Sequence, residues 1–102
     1  MRNRAFRVRL ERVSKNGRLT PADLSTWFER SYHTVRGWLQ GYEPWGPNGD
    51  EARRLLAVLE NAIRAKRGFP VPIHLSPIKR REYVMRLRRE LDGRLSQKRT
   101  TG

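Results

Sequence analysis

"ADLSTWFERSYHTVRGWLQG", residues 22–41, decides how this chain folds. Leu24, Trp27 and Phe28 stand at i, i+3, i+4, and Val35, Trp38 and Leu39 repeat that spacing. Each triplet is the apolar face of a short helix. Between them Glu29, Arg30 and Ser31 leave room for no more than a turn. The start of the first helix is signalled four times: Thr20 as N-cap, Pro21 at the first helical position, Asp23 completing a capping box, and Leu19 with Leu24 as a hydrophobic staple. Ser31 is the N-cap of the second, and Gly41 sits where a helix end wants a residue free to take positive φ. Two short helices so closely joined must cross steeply.

Upstream, Phe6, Leu10 and Val13 fall at i, i+4, i+7 and predict a helix from about Arg4 to Lys15. The alternation of Phe6, Val8 and Leu10 would also suit a strand. Downstream, "YEPWGPNGD" reads as a loop from its prolines and glycines. Asn48 and Glu51 are expected to box the start of a helix over about residues 49–67, with Ala52, Leu55, Leu56, Leu59, Ala62 and Ile63 as its stripe and Gly68 as its end. Trp45 is expected to lie as a lid over the core, with a DNA-facing or partner-facing role as the alternative. "FPVPIHLSP" must be extended because of Pro70, Pro72 and Pro77, with Phe69, Val71, Ile73 and Leu75 alternating along one side. Ser76-Pro77 opens a last helix running to roughly residue 96, with Tyr83, Val84, Leu87, Leu91 and Leu95 as its stripe. The expected organisation is all-α. A compact domain of about four helices spans residues 1–68 and an extended arm spans 69–76. A basic amphipathic helix covers 77–97 and a disordered tail covers 98–102.

Charge points to the partner. Among 102 residues there are 23 Lys and Arg against 10 Asp and Glu, a formal +13. Residues 1–18 hold seven basic residues and one acid, and residues 79–102 hold nine basic and three acidic. The segment between them holds seven and six, so the centre is nearly neutral and both ends are strongly basic. Such a balance favours a polyanion. That polyanion is nucleic acid or, less often, an anionic membrane. No run of about 18 apolar residues exists, so nothing is expected to span a bilayer, and the partner expected is nucleic acid, not membrane. The N-terminus lacks the apolar stretch of a signal peptide. Cys is absent, which removes disulfides and thiolate metal sites and suits a cytoplasmic protein.

Residues 22–41 resemble the helix-turn-helix of the Cro and phage-repressor family, aligning without a gap through Asp23-Leu24-Ser25, Thr34-Val35, Trp38 and Gly41. One departure is Glu29, which stands where the family has glycine at the start of the turn. The resemblance implies that residues 32–40 enter the major groove of double-stranded DNA, N-terminus first, with Tyr32, His33 and Arg36 in base-reading positions. It implies phosphate contacts from Thr20, Ser31, Thr34 and Tyr42. Arg36 can pair bidentately with guanine O6 and N7. Gly37 replaces what is often a reading side chain. On the last helix, Arg80, Arg81 and Arg88 are expected to add phosphate contacts. Its stripe could dock on its own domain, pair with a second copy or face solvent until a partner binds; pairing as a homodimer, aided by the 69–75 arm, is the reading favoured. His74 is read as a bystander.

An enzyme is disfavoured: there is no Cys nucleophile, two His, no Gly-rich phosphate loop and no carboxylate pair. The expected protein is a DNA-binding bacterial or phage transcriptional regulator of the cytoplasm or nucleoid that needs no cofactor. The alternatives are a small-terminase-like packaging subunit that assembles into a ring, or a non-specific architectural or RNA-binding protein.

Overall fold

The computed structural model describes residues 2–92, with side chains from residue 6 onward. Within them lie five helices and no strand: α1 (Arg2–Gly17), α2 (Pro21–Phe28), α3 (Tyr32–Leu39), α4 (Gly46–Arg64) and α5 (Pro77–Leu91). The fold is all-α. Leu95, the expected continuation of the last helix to residue 97 and the tail at 98–102 lie outside the described residues.

Burial decides between helix and strand at the N-terminus. Phe6, Leu10 and Val13 are buried while Val8 is 39% exposed, so the three-and-four spacing wins over the alternation. At α2 the capping box is complete: Asp23 N donates to Thr20 Oγ1 at 3.1 Å and Thr20 N donates to Asp23 Oδ2 at 2.9 Å. Glu29 takes the left-handed conformation that the turn demands, with φ 55° and ψ 46°. For a non-glycine residue that costs of order 1 kcal/mol, and an anion at a helix C-terminus is itself unfavourable. An ion pair with Arg88 of α5 opposes both.

α4 departs from expectation at both ends. It begins at Gly46, three residues early, behind Trp45 as an extended N-cap with no side-chain cap. Asn48 therefore lies inside the first turn. It accepts from Arg30 instead, at 3.3 Å, and Glu51 pairs with Arg54. The helix stops at Arg64 rather than near Gly68, because Lys66 turns left-handed and the amides of Lys66 and Arg67 close back on Ile63 and Ala62. That pattern satisfies carbonyls a helix end otherwise leaves open.

The arm and α5 require the largest correction. Phe69 and Val71 insert into the core, and Val71 N donates to Gly17 O at 2.9 Å. The alternation then breaks: the chain turns at Ile73-His74, leaving Ile73 70% exposed. Val84 and Leu87 are buried in the same core as Leu24, Trp27 and Leu59. The face expected to pair two copies is thus spent inside its own chain, and residues 69–91 are not an appendage. Arg80 Nη2 reaches Asp23 and also donates to Arg18 O at 2.7 Å, tying α5 to the start of α2. At the C-terminal end of α5 the buried Asp92 meets Arg54 at 3.1 Å.

A further clamp joins α1 to α4. Arg9 Nε and Nη2 grip Glu60 at 2.8 and 2.7 Å. The hydrogen bond from Arg9 holds the Glu60 carboxyl below its ordinary range. A depressed folded-state pKa gives stability that is complete above the unfolded pKa and lost as pH falls through the lower folded value. The pair is partly exposed, so it is worth no more than about 1 kcal/mol. Glu60→Gln is therefore expected to lower the urea midpoint at neutral pH and to leave it unchanged once carboxylates are protonated. Urea titrations at the two pH values check this.

Candidate nucleic-acid interface

The core fixes one side of α3 and frees the other. Val35 is fully buried and Trp38 is 6% exposed, its ring meeting Phe28 and Phe6 edge-on at 5.3 and 5.5 Å between centroids. Edge-to-face packing of this kind fixes ring orientation as well as burying area. Below it Trp27 is fully buried and donates Nε1–H to Leu55 O at 3.0 Å. With Trp38 locked, the rotation of α3 about its axis is set. The opposite side then carries Tyr32, His33 and Arg36 outward, all exposed.

That outward face is partly pre-arranged. The Arg36 guanidinium carbon stands 5.8 Å from the centre of the Tyr32 ring, an i, i+4 cation–π contact that narrows the positions the charge can occupy. Ser31 is committed to its cap: Oγ accepts from Thr34 N at 3.0 Å and donates to Thr34 Oγ1 at 2.9 Å. What Ser31 leaves for an anion is the start of the helix itself rather than a free hydroxyl. Thr20 uses its oxygen as an acceptor in the capping box, which leaves its hydroxyl proton for another partner.

Gly37 has a structural reason. Tyr42 folds back over α3, its N donating to Gly37 O at 3.0 Å, and a Cβ added at residue 37 would come within 3.3 Å of Tyr42 Cδ2. The aromatic ring, 72% exposed, covers the place a side chain at 37 would take. The outer surface of α3 is therefore completed by a residue from the following loop.

Two adjoining concave surfaces gather these residues. One lies between α3 and the segment 42–48, the loop and the first turn of α4, and is lined by Tyr32, His33, Thr34, Arg36, Tyr42 and Trp45. The other lies between α2 and α5 and is lined by Thr20, Thr26, Tyr32, Arg81 and Met85. Arg30 and Tyr32 line both. The sequence-predicted residues on α2, α3 and the loop are thus brought together, and Arg81 joins them from α5.

Arg80 and Arg88 do not join as free cations. Arg80 is spent on Asp23, Arg18 O and Pro72 O, with its side chain 17% exposed. The Arg88 side chain is 12% exposed and stands against Glu29. Their place in a basic run predicts phosphate contacts, but both guanidinium groups are largely buried against protein partners, Arg80 at the edge of the surface between α2 and α5. Trp45 is a second correction: it is no lid, and at 82% it is the most exposed large apolar side chain described. Arg30 is on the site and was missed. Its position in the turn was visible, but nothing in the sequence says which side of a left-handed turn a side chain leaves from.

Among the described residues no group of three His, Cys, Asp or Glu is placed to hold a metal ion. Nor is any helix among them long and apolar enough to cross a membrane. The chain matches no protein-family model, no curated protein and no solved structure.

Proposed function

We propose that the protein binds double-stranded DNA with sequence preference, laying α3 in the major groove, and that it acts as a transcriptional regulator. The observation that carries the reading is the division of α3. Val35 and Trp38 anchor one side in the core, while Tyr32, His33 and Arg36 stand exposed on a capped, eight-residue helix joined to α2 by three residues. A helix so mounted is the size of object a major groove admits. The formal charge of +13 supplies the sequence-independent attraction to phosphate. Thr20 and Arg81 line the adjoining surface, which shares Tyr32 and Arg30 with the first, and are suited to the flanking phosphates.

Selection from a random duplex pool at near-physiological salt tests this. An enriched motif supports the reading, and retention without enrichment moves it to packaging, architecture or RNA. An inverted repeat would require two copies, and Ile73 and Ile78, 70% and 71% exposed, are apolar side chains left outside to join them. On the selected site, Arg36→Ala is expected to lose about 1–3 kcal/mol of discrimination, the worth of a bidentate guanine contact. Competition between selected and scrambled duplex measures it. Equal loss on both would remove Arg36 from base reading.

A further inference from the structure

We infer that Trp45 is an aromatic wedge that presses against the base edges of duplex DNA beside the stretch read by α3. The inference rests on the duplex reading and adds a contact of a different kind, one that neither charge nor hydrogen bonding provides.

A tryptophan so exposed would ordinarily fold down onto the core. Here the loop holds it away. Pro44 is buried, its carbonyl accepts from Arg53 Nη2 at 2.9 Å, and Glu43 is ion-paired to the same guanidinium. On the other side Gly49 N donates to Trp45 O at 3.0 Å. Gly49 packs so closely that a Cβ there would lie 2.8 Å from the Pro44 backbone. Both flanks of Trp45 are therefore braced against α4, and the indole projects from a fixed base. A rigid aromatic contributes contact area at small entropic cost.

The surroundings select the occupant. The indole shares its concave surface with Arg30, His33 and Arg36, and the one acid among the described lining residues, Glu43, is neutralised by Arg53. Arg30 and Arg36 beside an apolar ring suit a polyanion whose phosphates border apolar groups, and the major groove of duplex DNA supplies both, with thymine methyl groups on its floor.

The three tryptophans make the test direct, because Trp27 is fully buried, Trp38 is 6% exposed and Trp45 is 82% exposed. The fluorescence that acrylamide quenches should come from Trp45 and be missing from Trp45→Phe. Bound to a selected duplex, or to random duplex at low salt, Trp45 should become protected several-fold. Trp45→Ala should weaken binding by roughly 10-fold, the scale of losing part of an aromatic side chain's burial. The slope of log K against log salt should not change, since no phosphate contact is removed. The melting temperature should stay the same. Binding with Trp45 as quenchable as in the free protein would overturn the inference and leave the duplex reading standing. Absence of duplex binding would end both. Protection that grows with protein concentration without DNA would assign Trp45 to contact between copies and overturn it too.

Discussion

Ending the chain after Gly68 is expected to abolish cooperative folding, although the remaining residues carry all of α1 to α4. The cut removes Phe69, Val71, Val84 and Leu87, each 7% exposed or less and all in the core that also holds Leu24, Trp27 and Leu59. Fully burying a side chain of this size stabilises by about 1.5–3 kcal/mol, so the four together supply roughly 6–12. A small domain has a net stability of only about 5–15 kcal/mol. The loss also uncovers α2 along the side where α5 packs and leaves Gly17 O without the Val71 amide. The expected product is a partly helical, loosely packed chain whose ellipticity falls gradually with urea, where the full chain unfolds in a single transition. A sharp transition for residues 1–68, within about 1 kcal/mol of the full chain, would mean that the arm and α5 are an accessory to a self-sufficient domain. Proteolysis gives an independent reading, since a core that depends on residues 69–91 leaves no resistant fragment ending near Gly68.

The same segment shows where sequence reading stops. The short-helix pair was legible because its signals are local and redundant. Thr20, Pro21 and Asp23 agree on one boundary, Ser31 marks the next, and two apolar triplets face the same way. The helical nature of residues 77–91 was legible for the same reason. Which of three surfaces its stripe would cover was not, because a stripe of Val84 and Leu87 is equally suited to its own domain, a second copy or a partner. That choice depends on the path of the arm, and the arm's path is set by a turn at Ile73-His74 that its prolines permit but do not dictate. At the candidate site, helical periodicity put Tyr32, His33 and Arg36 on the outward side of α3, and the family resemblance alone supplied a role for them. Trp45 was not placed this way. An aromatic between two prolines and two glycines reads as a lid, and only the brace of Glu43, Pro44 and Gly49 against Arg53 and α4 turns it outward. Glu29 was legible as a conformational exception, but its partner Arg88 lies on a helix whose docking the sequence could not place.

Arg80 and Arg81 are adjacent arginines with opposite consequences. Arg80→Ala is expected to destabilise the fold severely, and Arg81→Ala hardly at all. The Arg80 guanidinium lies along the Asp23 carboxylate, with Nε at 3.3 and 3.2 Å from its two oxygens, and also caps Arg18 O. Asp23 is 4% exposed. Removing one member of a buried pair strands the other charge and typically costs about 3–5 kcal/mol. Asp23 keeps its hydrogen bond from Thr20 N, which places the expected loss near the lower end. About 3 kcal/mol corresponds to a fall of roughly 12–24 °C in melting temperature for a domain of this size. Arg81 is exposed, and a surface substitution of that kind usually stays within about 0.5 kcal/mol. Calorimetry of the two variants separates the cases. A cycle with Asp23→Asn isolates the pair: once the carboxylate is neutral, losing Arg80 should cost much less, and the coupling should reach the upper part of the roughly 0.5–3 kcal/mol seen between interacting groups. Additive losses would mean that Arg80 holds α5 through Arg18 O and Pro72 O rather than through Asp23. DNA affinity should separate the two arginines the other way round. On folded protein Arg81→Ala is expected to reduce the salt slope by about one, as for a lost phosphate contact. Arg80→Ala is expected to leave the slope unchanged, because its guanidinium is engaged by Asp23, Arg18 O and Pro72 O.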